Sequence, residues 1–365
     1  MKRISFILSV VVVLALGTFA AACGGDDDNG SGNGNQGGNN QGGSADKPAK
    51  KEYNNPVVPY SVPDPTAIRA QDGYFYLYGT EDTRNIPVFK SKDMVNWERQ
   101  PATCFTDYNR PDFEPGNPDV TRSAALWAPE IRYIKNKYVL FYSLAEWGNG
   151  WVSTIGYAVA DKPEGPFSPK GWVFNARQMG VDNGIDQFYW EEDGKPYMVW
   201  GSFNGIYIVE LDVTDDLVIT PKKDTMVRIA GNAYEGSNLW KRNGYYYLIC
   251  STGSCCEGAN STYITVVGRS KSLFGPYVNK SGGRMLDNQH ELIVKGDNRW
   301  AGTGHNSIWL EDDDKNVWML YHAYAKGDPG RGRQVLLDKI QWDADGWPSV
   351  AFQTPSNFAD VPVIK

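Results

Sequence analysis

The chain predicts an all-β fold, a five-bladed β-propeller, on three observations. A turn followed by an aromatic-loaded, β-rich run recurs five times. The copies begin roughly 50 to 70 residues apart, enough for four strands and their loops in each unit. No stretch of about 12 residues carries helical periodicity with caps. The runs are DGYFYLYG (Asp72 to Gly79), KNKYVLFYS (Lys135 to Ser143), DGKPYMVWGS (Asp193 to Ser202), RNGYYYLICS (Arg242 to Ser251) and DKNVWMLYHA (Asp314 to Ala323). Each reads as a hairpin turn, at Gly73, Asn136, Gly194, Gly244 and about Lys315, feeding a buried strand.

The propeller is expected over residues 53–365, preceded by an address label and a tether. Lys2 and Arg3, an apolar stretch from Ile7 to Leu16 and the small residues Ala20, Ala21 and Ala22 have the layout of a signal peptide over residues 1–22. The apolar stretch is too short to span a bilayer. Cys23 follows directly, as in a bacterial lipoprotein cleavage box, although Ala20 stands where that box prefers Leu. We therefore expect an exported protein lipidated on Cys23 and held at the outer membrane, facing the cell surface; ordinary secretory cleavage is the alternative. Gly24, Gly25, Asp26, Asp27 and Asp28 open a segment of Gly, Asn, Gln, Ser and Asp reaching to about residue 52, with no periodic apolar residue. Such a composition buries no core and behaves as a flexible leash.

Composition narrows the chemistry. With 365 residues, 41% hydrophobic and 13% aromatic, the chain can fill a sizeable core. Its net charge of −7 argues against a nucleic-acid partner. Against 3 His stand 13 Trp and 21 Tyr, which disfavours a three-histidine metal enzyme and favours stacking on apolar faces such as those of sugar rings. Cys104, Cys250, Cys255 and Cys256 contain no Cys-x-x-Cys pair, so a structural zinc is disfavoured. A disulfide among them and lone buried thiols both remain open.

The strand entering each hairpin should be the innermost of its blade. Its first residue, eight to ten positions before the turn, then points near the axis; these are Asp64, Trp127, Asp186, Glu235 and His305. Strand interiors disfavour carboxylates, and buried charges are costly unless partnered. Three carboxylates, a flat aromatic and an imidazole at one repeat phase predict a site assembled around the axis. Taken singly, Asp64 could be a turn former before Pro65, Asp186 and Glu235 salt-bridge partners, Trp127 a core residue and His305 a satisfied channel histidine.

These positions, in this order, resemble glycoside hydrolase family 43 from about Val62 to Val350. Asp64, Pro65, Thr66, Ala67 and Ile68 are similar to its first-blade motif, and Trp127, Ala128, Pro129, Glu130 and Ile131 to its second. Ile185 and Asp186 before GKPYMVWGS resemble the third, and Glu235 and Gly236 before KRNGYYYL the fourth. The resemblance implies Asp64 as general base, Asp186 as modulator of the acid's pKa and Glu235 as general acid. Cys255, Cys256, Glu257, Gly258, Ala259, Asn260, Ser261 and Thr262, together with VVGRSKSLFGPY, Gly304 to Ser307 and QWDADGWP, resemble the arabinan-cleaving branch. There, the resemblance implies, His305 helps hold a calcium, another ion or waters in the channel, and Arg333 reaches the bound sugar. Trp127, Ser143 and Ser202 join Arg333 as substrate-binding candidates. Pro63 and Gln187 depart from the pattern, which carries His and Pro there.

The function so implied is inverting hydrolysis of α-1,5-L-arabinofuranosidic bonds in plant cell-wall arabinan by a monomer, endo-acting, with no cofactor required for the chemistry. In that mechanism a carboxylic acid protonates the leaving oxygen, while a carboxylate on the opposite face activates water. The alternatives are an exo-acting arabinofuranosidase or β-xylosidase on the same scaffold, decided by the loops from Cys104 to Ala125 and around Trp147, Gly148, Asn149, Gly150 and Trp151. A non-catalytic surface glycan-binding propeller would lack one of the three carboxylates, and all are present.

Overall fold

The computed structural model describes residues 51–111 and 124–365; the signal peptide, Cys23 and most of the leash lie outside them. Five antiparallel sheets succeed one another along the chain, as the repeats predict. Their inner strands are Thr66–Arg69, Ala125–Ile134, Phe188–Glu192, Tyr234–Arg242 and the interrupted pair Trp300–Gly304 and Leu310–Glu311. The repeated runs are the second strands: Phe75–Tyr78, Lys137–Ala145, Lys195–Trp200, Tyr245–Thr252 and Val317–Ala325. All five turn residues, Gly73, Asn136, Gly194, Gly244 and Lys315, have positive φ, which the tight hairpins demand. Among the described residues the one α-helix is the four-residue Ala176–Met179.

The runs are apolar on both faces because both faces of each blade are covered. In the first, Tyr76 and Tyr78 pack towards Leu126, Leu140 and Tyr142 of the second blade. The alternating Phe75 and Leu77 pack the other way, against Trp318, Leu320 and Val335 of the fifth. The side-chain period of two thus feeds two separate cores. Five apolar clusters lie in this way, one between each neighbouring pair of blades.

Closure uses the start of the described chain. Val57 and Val58 donate to Val335 O, and Val62 to Arg333 O, so this segment lies beside Arg333–Lys339 as the outer edge of the fifth blade. Glu52–Asn54 pairs with Phe358–Asp360, and the Tyr53 hydroxyl donates to Leu337 O at 2.5 Å.

Of the cysteines, Cys255 and Cys256 are joined in a vicinal disulfide, and Cys104 and Cys250 are buried free thiols.

Candidate active site

Where each inner strand enters its blade, one residue takes a left-handed backbone: Asp64 (φ 53°), Ala128 (φ 41°), Asp186 (φ 59°), Gly236 (φ 57°) and His305 (φ 45°). This corrects the equivalence read from the sequence. Trp127 and Glu235 stand one residue before their blade's joint, and His305 follows Gly304 at an interruption of its strand instead of beginning it. Left-handed conformations cost non-glycine residues energy and persist where surroundings enforce them. Here a side chain at the end of the preceding blade's second strand takes the joint's N–H: Thr80 takes that of Ala128 (2.9 Å), Ser143 that of Asp186 (3.1 Å), Ser251 that of His305 (2.8 Å) and His322 Nδ1 that of Asp64 (3.0 Å). At the fourth joint the Asp186 carboxylate takes the Gly236 N–H at 3.0 Å. The residue in register there, Ser202, donates to Glu235 Oε2 instead, at 2.6 Å.

The joints surround a cavity of about 540 Å³, lined by Asp64, Asp186 and Glu235 together with Trp127, Ser202, His305 and Arg333. The three carboxylates, from three blades, are each buried, 6–9% exposed. Arg333 Nη1 donates to Asp64 Oδ1 at 2.9 Å and the Thr80 hydroxyl to Oδ2 at 2.5 Å. His305 Nδ1 stands 3.4 Å from Oδ1. Glu235 Oε1 accepts from the Tyr263 hydroxyl at 2.8 Å. Ser143 is fully buried and bonded to Gln187 and the Asp186 N–H, behind the cavity wall rather than on it.

Environment drives the carboxylates apart. Burial works to raise the pKa of Asp64, but the Arg333 guanidinium, joined by the Thr80 hydrogen bond and by the two imidazoles where the pH is low enough to protonate them, outweighs it and holds the group well below its ordinary 3.8. Burial also pushes the His305 and His322 pKa values down, so near neutrality both rings are uncharged and Arg333 supplies the positive charge. Burial raises Glu235 above its ordinary 4.5, against the Ser202 and Tyr263 hydrogen bonds. Asp186 goes well above its usual range through burial and the neighbouring charges of Glu235 and Asp64. One carboxylate whose proton affinity is lowered, facing two whose proton affinity is raised, is what acid–base chemistry at a single bond needs.

A hydrogen-bonded belt ties these groups together. Thr80 links Asp64 to the Ala128 N–H. Gln187 Nε2 donates to Ala128 O at 2.7 Å, and Gln187 Oε1 accepts from Ser143 at 2.8 Å. Ser143 holds the Asp186 N–H, and Asp186 holds that of Gly236, next to Glu235. Replacing Gln187 with Met keeps the volume and deletes both bonds; we expect kcat to fall about tenfold, since misplacing reacting groups is costly, with KM within about twofold, measured by steady-state kinetics. Thr80, Gln187, His322 and Tyr263 escaped the sequence reading as site residues. The signal for three of them was the residue closing each repeated run or flanking a catalytic position; for Tyr263 there was none.

On the axis beneath, a chamber of about 20 Å³ is lined by Glu130, Ser237, Asn238, His305 and Asn306 among others. Ser237 Oγ and Asn306 Oδ1 are buried there without partners. At the cavity mouth, Trp147 is 79% exposed and packs on Trp127, ring centroids 5.1 Å apart. Residues 112–123 of the other candidate wall lie outside the described residues. Cys255 and Cys256 line the cavity too.

The profile of Glycosyl hydrolases family 43 matches residues 53–348. The chain is similar to the extracellular endo-α-(1→5)-L-arabinanase 1 of Bacillus subtilis, 33% identical over 301 residues, covering 78% of this chain and 86% of the relative. It is equally similar to the extracellular exo-α-(1→5)-L-arabinofuranosidase ArbA of Cellvibrio japonicus, 33% identical over 317 residues, covering 79% and 86%. Among solved structures, the Cellvibrio cellulosa α-L-arabinanase complexed with arabinohexaose superposes with a TM-score of 0.70 at 30% identity, covering 80% of this chain and 95% of that one.

Proposed function

The chain belongs to glycosyl hydrolases family 43, and from that premise we propose that it hydrolyses α-1,5-linked L-arabinofuranosyl bonds of arabinan, by inversion and from within the chain. The observation that carries the proposal is the convergence of Asp64, Asp186 and Glu235 on one cavity, with Arg333 on the first and hydroxyls on the last. Glu235, raised by burial, delivers its proton to the leaving oxygen. Asp64, held ionised by Arg333, takes a proton from the water that attacks the opposite face of the sugar. Asp186 orients the acid through the Gly236 N–H and raises its proton affinity when charged. A proton NMR record of the first product decides the stereochemistry: the anomeric signal of inverted configuration supports direct water attack, and retained configuration contradicts it.

Chain-end preference is supported less strongly, because an endo- and an exo-acting relative are equally similar. Early products from linear arabinan separate the two: oligosaccharides of mixed length support endo action, and a single small product from the outset supports the exo reading. Trp127 and Trp147 form an aromatic wall on which a furanose can stack. Trp147→Ala is expected to raise KM on arabino-oligosaccharides about tenfold, equivalent to ~1.4 kcal/mol, with kcat little changed.

The pH profile follows from the two catalytic environments. Glu235, with its pKa raised, stays protonated and active above its ordinary 4.5, and activity falls as the pH rises through its folded-state value. Asp64, with its pKa lowered, should produce no acid limb down to its ordinary 3.8. A kcat/KM profile on linear arabinan checks both.

The oxygen-rich axial chamber fits an ordered water or a hard cation such as calcium. Asn306 and Ser237 would hold it beside His305, and it would supply positive charge beneath the carboxylates; the hydrolytic steps are carried by the protein's own groups. Export is supported by relatives named extracellular. Lipidation of Cys23, with the enzyme tethered at the outer membrane and acting as a monomer, completes the proposal.

A further inference from the structure

We propose that Tyr263 is a positioning residue that confines the catalytic proton to Oε2 of Glu235, the oxygen shared with the cavity wall. The inference rests on Glu235 being the general acid and adds where its proton resides. A carboxylic acid carries its proton on either oxygen, and only one placement points it at a leaving group. Tyr263 is 1% exposed and lies off the cavity lining. Its hydroxyl donates to Glu235 Oε1 at 2.8 Å. The ring is fixed: it stacks on His322 with centroids 5.8 Å apart and 16° between planes, and a Cβ added at Gly304 would meet its Cδ1 at 2.2 Å.

A buried phenol must donate its hydrogen somewhere or leave it unpaired at a cost of ~1–3 kcal/mol. Burial, followed by the Glu235 and Asp186 charges, pushes its pKa far above 10, so it remains a donor throughout the working range. Oε1 is therefore an acceptor in both charge states of Glu235, and the proton must sit on Oε2. There the partner is of another kind. Ser202, on the cavity wall, donates to Oε2 at 2.6 Å and accepts from Asn183 Nδ2 at 2.8 Å. A serine hydroxyl is a rotor with two lone pairs; it donates to the ionised oxygen and turns away when Oε2 carries hydrogen. The remaining charged or titratable groups acting on Glu235 are Asp186, Asp64 and Arg333, with His305 beside Asp64. None is a second donor to Oε1.

Tyr263→Phe keeps the ring and removes the donor. The test measures it on linear arabinan and on a 2,4-dinitrophenyl α-L-arabinotrioside, whose leaving group needs no protonation. We expect kcat on arabinan to fall about tenfold, part of the 10²–10⁴ that general acid catalysis provides, with KM within about twofold. Loss on the aryl substrate should be under about threefold. Equal losses on both substrates, or no loss on either, overturn the proposal. If Tyr263→Phe fails to fold, Ser202→Ala decides. With Tyr263 in place the arabinan-to-aryl rate ratio should stay at the wild-type value; a ratio that collapses overturns the assignment to Oε2. Failure of the acid assignment itself looks different: Glu235→Gln would then lose no more on arabinan than on the aryl glycoside.

Discussion

Replacing Glu235 with Gln is expected to lower kcat on linear arabinan by about 100-fold or more, because the lost group supplies general acid catalysis worth 10²–10⁴. Gln keeps the shape: its oxygen can still accept from Tyr263 and its amide nitrogen can donate to the Ser202 hydroxyl, which turns to receive it, so the site should remain assembled. It carries no transferable proton. KM should stay within about threefold and the thermal midpoint close to wild type. On the dinitrophenyl substrate the same variant should lose far less, since departure of that phenolate needs little help. Retention of more than about a tenth of the wild-type arabinan rate would remove Glu235 from the acid role.

Asp64→Asn carries the second large effect, and its signature is complementary. The amide cannot take a proton from water, so kcat should fall by about 10²–10⁴ on both substrates alike, whatever the leaving group. Stability should fall too. Arg333 and Asp64 form a pair whose side chains are 16% and 12% exposed, and His305 and His322 are held neutral beside them. Asn therefore leaves the guanidinium without its hydrogen-bonded counter-charge, and breaking a buried pair from one side costs up to ~3–5 kcal/mol. Thermal denaturation should show a clear drop for Asp64→Asn and little for Glu235→Gln. The opposite ranking would mean that Arg333 is neutralised by something other than Asp64.

Much of this was legible in the residues, for identifiable reasons. Both faces of every second strand are buried, so the runs from Phe75 to Val317 are nearly continuous in apolar and aromatic residues and announce the repeat. Asp64, Asp186 and Glu235 stood out because strand entrances seldom carry carboxylates. Phase was less legible. Trp127 and Glu235 align with Asp64 by their side-chain chemistry, although the left-handed joints fall on Ala128 and Gly236; handedness leaves no trace at an alanine, and at Gly236 the charged neighbour is the more conspicuous residue. Ser143, a candidate sugar contact in the sequence, is buried behind Asp186. A hydroxyl closing a strand looks the same in sequence whether it faces the cavity, as Ser202 does, or turns behind Asp186. Tyr263 was invisible for a further reason: in a chain with 21 Tyr, one more within a strand-rich segment gives no sign of its partner.

The edge formed by Val57, Val58 and Val62 has a kinetic corollary. The Tyr53 hydroxyl and its acceptor Leu337 are 284 positions apart, so the segment that opens the propeller waits, unpaired, for the last blade to be made. Contacts of such sequence separation slow assembly and leave an incomplete ring open to wrong partners meanwhile. Loss of the first few residues of the propeller should accordingly harm the yield of folded protein more than the chemistry of those molecules that do close.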